Sequence, residues 1–479
     1  MRAAQAHGQG LARDVRRRLI VASLRICNPA NGEVVGTLPA DDAASVRGKY
    51  ERSRAAQPEW ARVRLKSRLE MIARFREHVV AETERLAQVL TLEVGKPIAQ
   101  SRNELKGLLP RLDFFLEQAG ATLAARRVHE DAQARLEERI SHEPLGVVAN
   151  ISAWNYPWFV GANVFVPALL AGNTVLYKPS EFASLTGTEI ARLLYASGVP
   201  QEVFIPAIGA GEVGAALTAL PVDGVFFTGS VATGKRIAES VGRRMVKLQL
   251  ELGGKDPIYA CDDVDVKATA ASLADGAFYN TGQSCCSVER IYVHESIHDA
   301  FVEAFVGEVR SFRRGDPTDD TTYIGPLTRA AQVDVLEAQV RDAVSKGAKL
   351  LTGGTRVKAA GNWFEPAVLT EVRHDMALMR EESFGPVIGI MRVRDDAEAV
   401  RLMNDTRYGL TAGVYTRDRH RAENILAQLN AGSVYWNCCD RVSPRLPWSG
   451  VGDSGIGLTL SASGIETFTR PKAWHLRGA

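Results

Sequence analysis

At 479 residues the chain exceeds what one ordinary hydrophobic core supports, so two large lobes are expected. Hydrophobic residues at 46% and charged residues at 24% exclude a disordered or fibrous chain. The 58 Lys and Arg nearly cancel the 56 Asp and Glu, and no basic stretch carries interleaved aromatics, so no nucleic-acid partner is implied.

Residues 1–25 are rich in Arg and poor in apolar pattern, and read as a basic N-terminal arm, a targeting extension or an upstream start. Asp14 argues against a targeting peptide, and no apolar run approaches the ~18 residues of a membrane span. Residues 42–118 carry Arg, Glu, Leu and Ala at helical spacing, which predicts long surface helices. From about residue 145 short β-branched runs alternate with helical patterns, predicting a parallel sheet flanked by helices. The strands are Gly146–Ile151, Thr174–Tyr177, Val203–Ile205 and Gly224–Phe227, with helices at Ser184–Tyr195 and Val231–Val241. A second α/β series follows Glu251: strands at Pro257–Ala260 and Arg290–Val293, and helices at 265–279, 297–313 and 328–346. Four of the six cysteines (27, 261, 285, 286, 438 and 439) form adjacent pairs that staple a fold poorly, which points to a reducing, cytoplasmic compartment.

Three motifs match known patterns and are judged misleading. His294-Glu295-Ser296-Ile297-His298 spells HExxH, but zinc binding needs both rings on one face of a continuous helix. Here His294 closes a strand and Ser296 reads as the N-cap of the next helix, so no metal is expected. Gly209-Ala210-Gly211-Glu212-Val213-Gly214 spells GxGxxG after the third strand rather than the first, and Asp223 follows too soon; it reads as a turn in a cofactor domain. Gly229-Ser230-Val231-Ala232-Thr233-Gly234-Lys235 approaches a P-loop, but Arg236 stands where Ser or Thr must hold Mg²⁺. What survives is a helix N-terminus whose N–H groups suit a pyrophosphate.

The chemistry-bearing residues are Cys285, in Gly282-Gln283-Ser284-Cys285-Cys286, and Glu251, in Glu251-Leu252-Gly253-Gly254-Lys255. The thiol is either a nucleophile or an inert buried cysteine; the carboxylate is either a general base or a strand-end ion pair. Trp154-Asn155-Tyr156-Pro157 adds an amide past a strand, Lys178-Pro179-Ser180-Glu181 a cation and an acid, and Glu382-Ser383-Phe384-Gly385-Pro386 a further acid.

In this order these motifs resemble the aldehyde dehydrogenase superfamily, from Asn28-Pro29-Ala30-Asn31-Gly32-Glu33 to the C-terminus. The resemblance implies an α/β fold: a Rossmann-like NAD-binding domain (26–121 and 145–252), a second α/β catalytic domain (253–447) and a small β oligomerisation segment (122–144 and 465–479). It implies Cys285 as thiolate nucleophile, Asn155 with the Cys285 N–H as oxyanion hole, and Glu251 as the base that activates the hydrolytic water. It places Lys178 and Glu181 at the adenosine ribose, Gly229, Ser230 and Gly234 at the pyrophosphate turn, and Glu382, Phe384 and Trp154 around the nicotinamide half. A carboxylate at Glu181 would repel a 2′-phosphate, so NAD is expected over NADP.

The substrate tunnel implied by the resemblance draws on Tyr156, Phe159, Val160, Asn163, Ser284, Cys286, Val442 and Trp448. Asn163 stands where an aromatic is common, which predicts a wider or more polar tunnel. Arg441 and Arg445, in the loop at the mouth, are either solvated or attract a carboxylate such as that of a semialdehyde acid. A homodimer or homotetramer is implied. A thiol hydrolase or acyltransferase, and a non-catalytic family member, are the alternatives.

Overall fold

The computed structural model describes residues 23–478; the expected basic arm lies outside the described residues apart from 23–25. The helical spacing of residues 42–118 becomes four helices, Ala43–Arg62, Leu65–Ala81, Thr83–Val94 and Ile98–Leu123. Asp42 starts the first with a capping box, its carboxylate accepting from Ser45 N at 2.7 Å while the Ser45 hydroxyl accepts from Asp42 N. Apolar residues of these helices, such as Phe75, Leu90, Leu105 and Phe115, are buried against Trp158, Phe165 and the first large sheet.

That sheet has the order Gly455–Ile456, Lys247–Glu251, Gly224–Thr228, Val147–Ile151, Thr174–Lys178, Phe204–Pro206. All pairs are parallel except the short Gly455–Ile456 edge. The first strand in sequence, Val147–Ile151, lies in the middle, and the chain winds out to one side before returning to the other. This is a doubly wound order, and such sheets bind ligands beyond the carboxyl ends of the strands beside that switch point. The central strands are buried along their whole length because both faces are covered.

The second sheet is ordered Lys349–Thr352, Ala367–Thr370, Val387–Val393, Arg290–His294, Pro257–Ala260, Thr411–Tyr415, Ser433–Trp436, again parallel apart from its first strand. A third sheet pairs the C-terminal strand Thr469–Arg477 with Leu136–Pro144, and that strand with Arg126–Asp131. The tail is therefore joined to residues more than three hundred positions earlier, Thr469 opposite Pro144.

In the HExxH segment the strand ends where its pattern predicts, but the helix starts later. His294 ends a strand and His298 begins the helix His298–Ser311, whose N-cap is Ile297 rather than Ser296. Ser296 instead shares a hydrogen bond with His294 Nδ1 at 2.8 Å, a local turn that leaves its hydroxyl unable to cap. His298 turns to Asp299, and no cluster of metal-binding side chains occurs among the described residues. The predicted strand Val203–Ile205 runs one residue later, Phe204–Pro206, because Val203 N–H closes a turn onto Pro200 O.

Candidate active site

One cleft of about 750 Å³ runs along the carboxyl ends of the first sheet and is closed on its far side by loops of the second. Four strands of the first sheet lead into it. Past Ile151 come Trp154 and Asn155; Lys178 ends its strand and leads to Glu181; Thr228 leads to Gly229 and Ser230; Glu251 ends its own strand.

The second sheet contributes from the opposite ends of its strands. Arg290 pairs with Gly389 and Pro257 with Arg290, so the loops that enter these three parallel strands lie side by side. Those loops carry Gly253-Gly254, Cys285 and Glu382 with Phe384. Gly254 N donates to Glu382 Oε1 at 3.2 Å, and the Glu382 carboxylate lies so close over Gly253 that any side chain there would collide with it. Asn280, Thr281 and Gly282 take three successive positive φ values, 52°, 57° and 71°, ahead of Cys285. A Cβ at Gly282 would strike the Gly385 carbonyl, so this coil is built onto the Phe384 loop.

Cys285 is partly exposed in the cleft and unpaired. Contact with the Cys286 thiol lowers its pKa, but burial and the nearby Glu251, Asp256 and Asp440 carboxylates outweigh this and raise it. Asn155 is buried and donates through Nδ2 to Gln283 O at 3.1 Å, which aims its amide at the cysteine loop. Glu251 is buried, its Oε1 has no hydrogen-bond partner, and burial pushes its pKa up to about 8 against smaller opposing pulls from Trp448 and Arg111. Glu382 is likewise pushed up to about 8, by burial first and the Glu289 charge second.

Along the cleft, Ser230 caps the helix Val231–Val241, accepting from Thr233 N, so the positive end of that helix opens into the space. Gly229 N donates to Glu251 O at 3.0 Å, and Gly234 packs against Leu252, holding this turn to the neighbouring strand. Lys178 Nζ lies 3.9 Å from Glu181 and donates to Pro179 O at 3.1 Å. Gly211 and Gly214 of the GxGxxG segment line the cleft from a helix that begins after the turn at Gly209, and Arg236 also lines it. Trp154 meets Phe384 edge-on with ring centroids 5.5 Å apart.

The expected tunnel residues gather on the other side of Cys285. Tyr156 and Phe159 stack in parallel at 5.7 Å; Cys286 and Trp448 are buried in the same core cluster, against which Val442, Phe159 and Cys285 pack. Val160 is half-buried on the helix Pro157–Leu170, and Asn163 is buried on it. Ser284 and Cys286 both donate to Asp440 Oδ1, at 3.1 and 3.0 Å. Arg441 and Arg445 are exposed, and Arg441 turns back to the Asp440 carbonyl.

Sequence reasoning missed the charged residues that hold this region. Lys96 is fully buried, paired with the equally buried Glu104, and its ammonium sits 3.7 Å over the Tyr156 ring. Glu104 also accepts from Trp158 N at 3.0 Å, fixing the start of the Pro157 helix. Arg111 is buried and bonded to Asn163. Lys255 and Glu289 form a second buried pair whose free valences go to Ser383 Oγ and to the Ser383 and Phe384 amides. A signal existed for two of them: Glu104 and Arg111 recur with Leu108 and Phe115 at helical spacing, two charges inside an apolar stripe.

The aldehyde dehydrogenase family profile matches residues 20–474. The chain belongs to the aldehyde dehydrogenase family. It is 35% identical over 446 residues to a succinate-semialdehyde dehydrogenase [NADP(+)] of Deinococcus radiodurans, covering 93% of each chain. A 3,6-anhydro-alpha-L-galactose dehydrogenase of Streptomyces coelicolor matches at 35% over 463 residues, 95% of this chain and 94% of that one. Among solved structures, the NAD-dependent aldehyde dehydrogenase of Sinorhizobium meliloti superposes with a TM-score of 0.92 at 34% identity, over 95% of this chain and 92% of the other. This aldehyde dehydrogenase is thus an oxidoreductase that takes an aldehyde to a carboxylic acid with a nicotinamide cofactor, NAD(P). Among its described residues no helix is long and apolar enough to cross a membrane.

Proposed function

We propose that the enzyme oxidises its aldehyde on Cys285 and hydrolyses the resulting thioester with water activated by Glu251, using NAD in preference to NADP. The observation that carries this reading is the convergence of Cys285, Asn155 and Glu251 on one cleft from two different sheets. The cleft fits a dinucleotide on its own chemistry: a capped helix N-terminus at Ser230 for a pyrophosphate, Lys178 and Glu181 for a ribose, and Glu382 with Phe384 and Trp154 at the end nearest Cys285.

The Cys285 thiol gives up its proton and the sulfur adds to the aldehyde carbon, while the Asn155 amide and the Cys285 N–H donate to the new oxyanion. The nicotinamide, when bound, supplies the hydride acceptor that carries this carbon to the acyl level. Glu251, ionised, then takes a proton from water, which adds to the thioester and releases the acid and the thiolate. A carboxylate at Glu251 makes water the acyl acceptor.

Glu181 supports NAD, since a carboxylate accepts from a ribose 2′-hydroxyl and repels a phosphate. The Thr469–Arg477 sheet, with exposed apolar Val128 and Leu476, supports assembly into a homodimer or homotetramer. Six free cysteines, several buried, support a cytoplasmic location. Among the described residues no histidine lines the cleft, which disfavours a thiol hydrolase.

The test is NADH formation with a panel of aldehydes by the wild type and by Cys285→Ala. Turnover should fall by roughly 10⁴-fold or more in the variant while NAD affinity changes little. A folded wild type that forms no NADH, or a variant that retains turnover, would sink the reading.

A further inference from the structure

Arg111 lies on the helix Ile98–Leu123 with 5% of its surface exposed, and among the described residues no carboxylate lies within ion-pair distance of it. Its one hydrogen bond is to a neutral acceptor, Asn163 Oδ1, at 3.2 Å. The guanidinium lies flat against Phe159, 4.2 Å from the ring centroid. Gly107, one turn earlier, leaves room for that ring to lie against the helix. Phe159 packs on the same core as Cys285 and Cys286, which places Arg111 beside the cysteine loop.

Most of the other buried cations are accounted for within the protein; Arg68 also lacks a carboxylate, but it lies against Trp60 and Gly172 in the helical layer. Lys96 has Glu104 and Lys255 has Glu289. Arg290, more deeply buried, gives its donors to the Lys255, Leu402 and Met403 carbonyls and to the Tyr292 hydroxyl. Asp440, the acid across Cys286, already accepts from Ser284 and Cys286. Arg111 has five N–H donors and uses one; burial lowers its pKa only to about 10, so it stays charged at neutral pH. A desolvated, permanently charged fork with four free donors is suited to a planar carboxylate.

We propose that Arg111, held by Asn163 and the Phe159 face, is an anion subsite that selects aldehydes bearing a second, carboxylate group. The proposal rests on the oxidation of an aldehyde at Cys285 and adds the chemical class of its tail. It moves the carboxylate partner from the exposed Arg441 and Arg445 to a buried cation on a different element.

Steady-state kinetics at saturating NAD compare succinic semialdehyde with butanal, which have the same carbon count and differ in the carboxylate. The wild type should favour the semialdehyde in kcat/KM by about tenfold or more, and Arg111→Gln should cut that ratio at least tenfold. Arg111→Lys keeps the charge but loses the fork, and should fall between the two. Because replacing a buried arginine can unfold its helix, alkylation of Cys285 by iodoacetamide, read by peptide mass in the wild type, gives a second measure. Succinate should slow it and butyrate at the same ionic strength should not. A wild-type ratio near one, a ratio that Arg111→Gln leaves unchanged, or equal effects of the two acids overturns the subsite. Butanal oxidised without preference would leave the chemistry at Cys285 standing, whereas no NADH from either aldehyde would remove both.

Discussion

The two large sheets build one cleft by opposite means. The first offers the carboxyl ends of its strands, where each strand turns into a helix and backbone N–H groups point into the space, as at Ser230. The second offers the loops that enter its strands, which bring side chains such as Cys285 and Glu382. Backbone donors come with the fold; side chains must be positioned. The second side therefore carries the devices that the first does without: the buried Lys255–Glu289 pair, the left-handed coil at Asn280–Gly282, and Glu382 pressed over Gly253. Glu251, at the end of a first-sheet strand, is held by burial and a side-chain contact with Trp448.

Breaking that last element should have the largest effect. Glu251→Gln should lower kcat by roughly 10²–10⁴-fold and convert steady turnover into a burst of one NADH per active site, because the thioester forms but is not hydrolysed. The wild-type kcat should rise with pH through about 8, the value to which burial pushes Glu251, and the variant should lose that limb. Stability moves the other way. The native state keeps the Glu251 proton between the ordinary carboxylate range and pH 8 while the unfolded chain releases it, so stability falls as pH rises across that window. Thermal unfolding of Glu251→Gln should accordingly decline less between pH 5 and 8 than that of the wild type. Asn155→Ala comes next, with kcat/KM down roughly 10²–10³-fold, as for loss of one oxyanion donor, and NAD binding retained.

On the second side the effect should appear in stability before activity. Lys255→Met leaves Glu289 buried without its cation and should cost roughly 3–5 kcal/mol in denaturant unfolding. If instead the variant unfolds like the wild type but binds NAD poorly, the pair serves the Glu382 loop alone and the contrast between the two sides sharpens.

What could be read from sequence follows the same division. Four strands of the first sheet, the helix Val231–Val241 and the turn at Ser230 were legible because parallel strands and helix starts are written in local pattern. Cys285, Asn155 and Glu251 were legible only together, by their order along the chain. Lys96, Glu104, Lys255, Glu289 and Arg111 were not, because a charged residue in a helix or a loop is ordinarily solvated, and only the packing of distant segments takes these out of water. The Ser296 cap failed for a nearer reason: the hydroxyl had a competing partner in the His294 ring.

The smallest expected effect tests how far side chains refine what the backbone of the first sheet already does. On the proposed reading Ser230 and the helix behind it take the pyrophosphate common to both dinucleotides, and discrimination between them falls to Glu181, one-third exposed beside Lys178. A carboxylate so exposed is screened, and its repulsion of a 2′-phosphate is correspondingly modest. Arg236 also lines the cleft, and its charge has the opposite sign. Glu181→Gln should thus raise the NADP-to-NAD ratio of kcat/KM by about tenfold at low salt and by less at high salt. The shift should lie in the NADP KM, with kcat for NAD little changed, because the group it removes meets the ribose and not the reacting carbon. An unchanged ratio would place the discrimination elsewhere in the cleft, with Arg236→Ala the variant to separate the two charges.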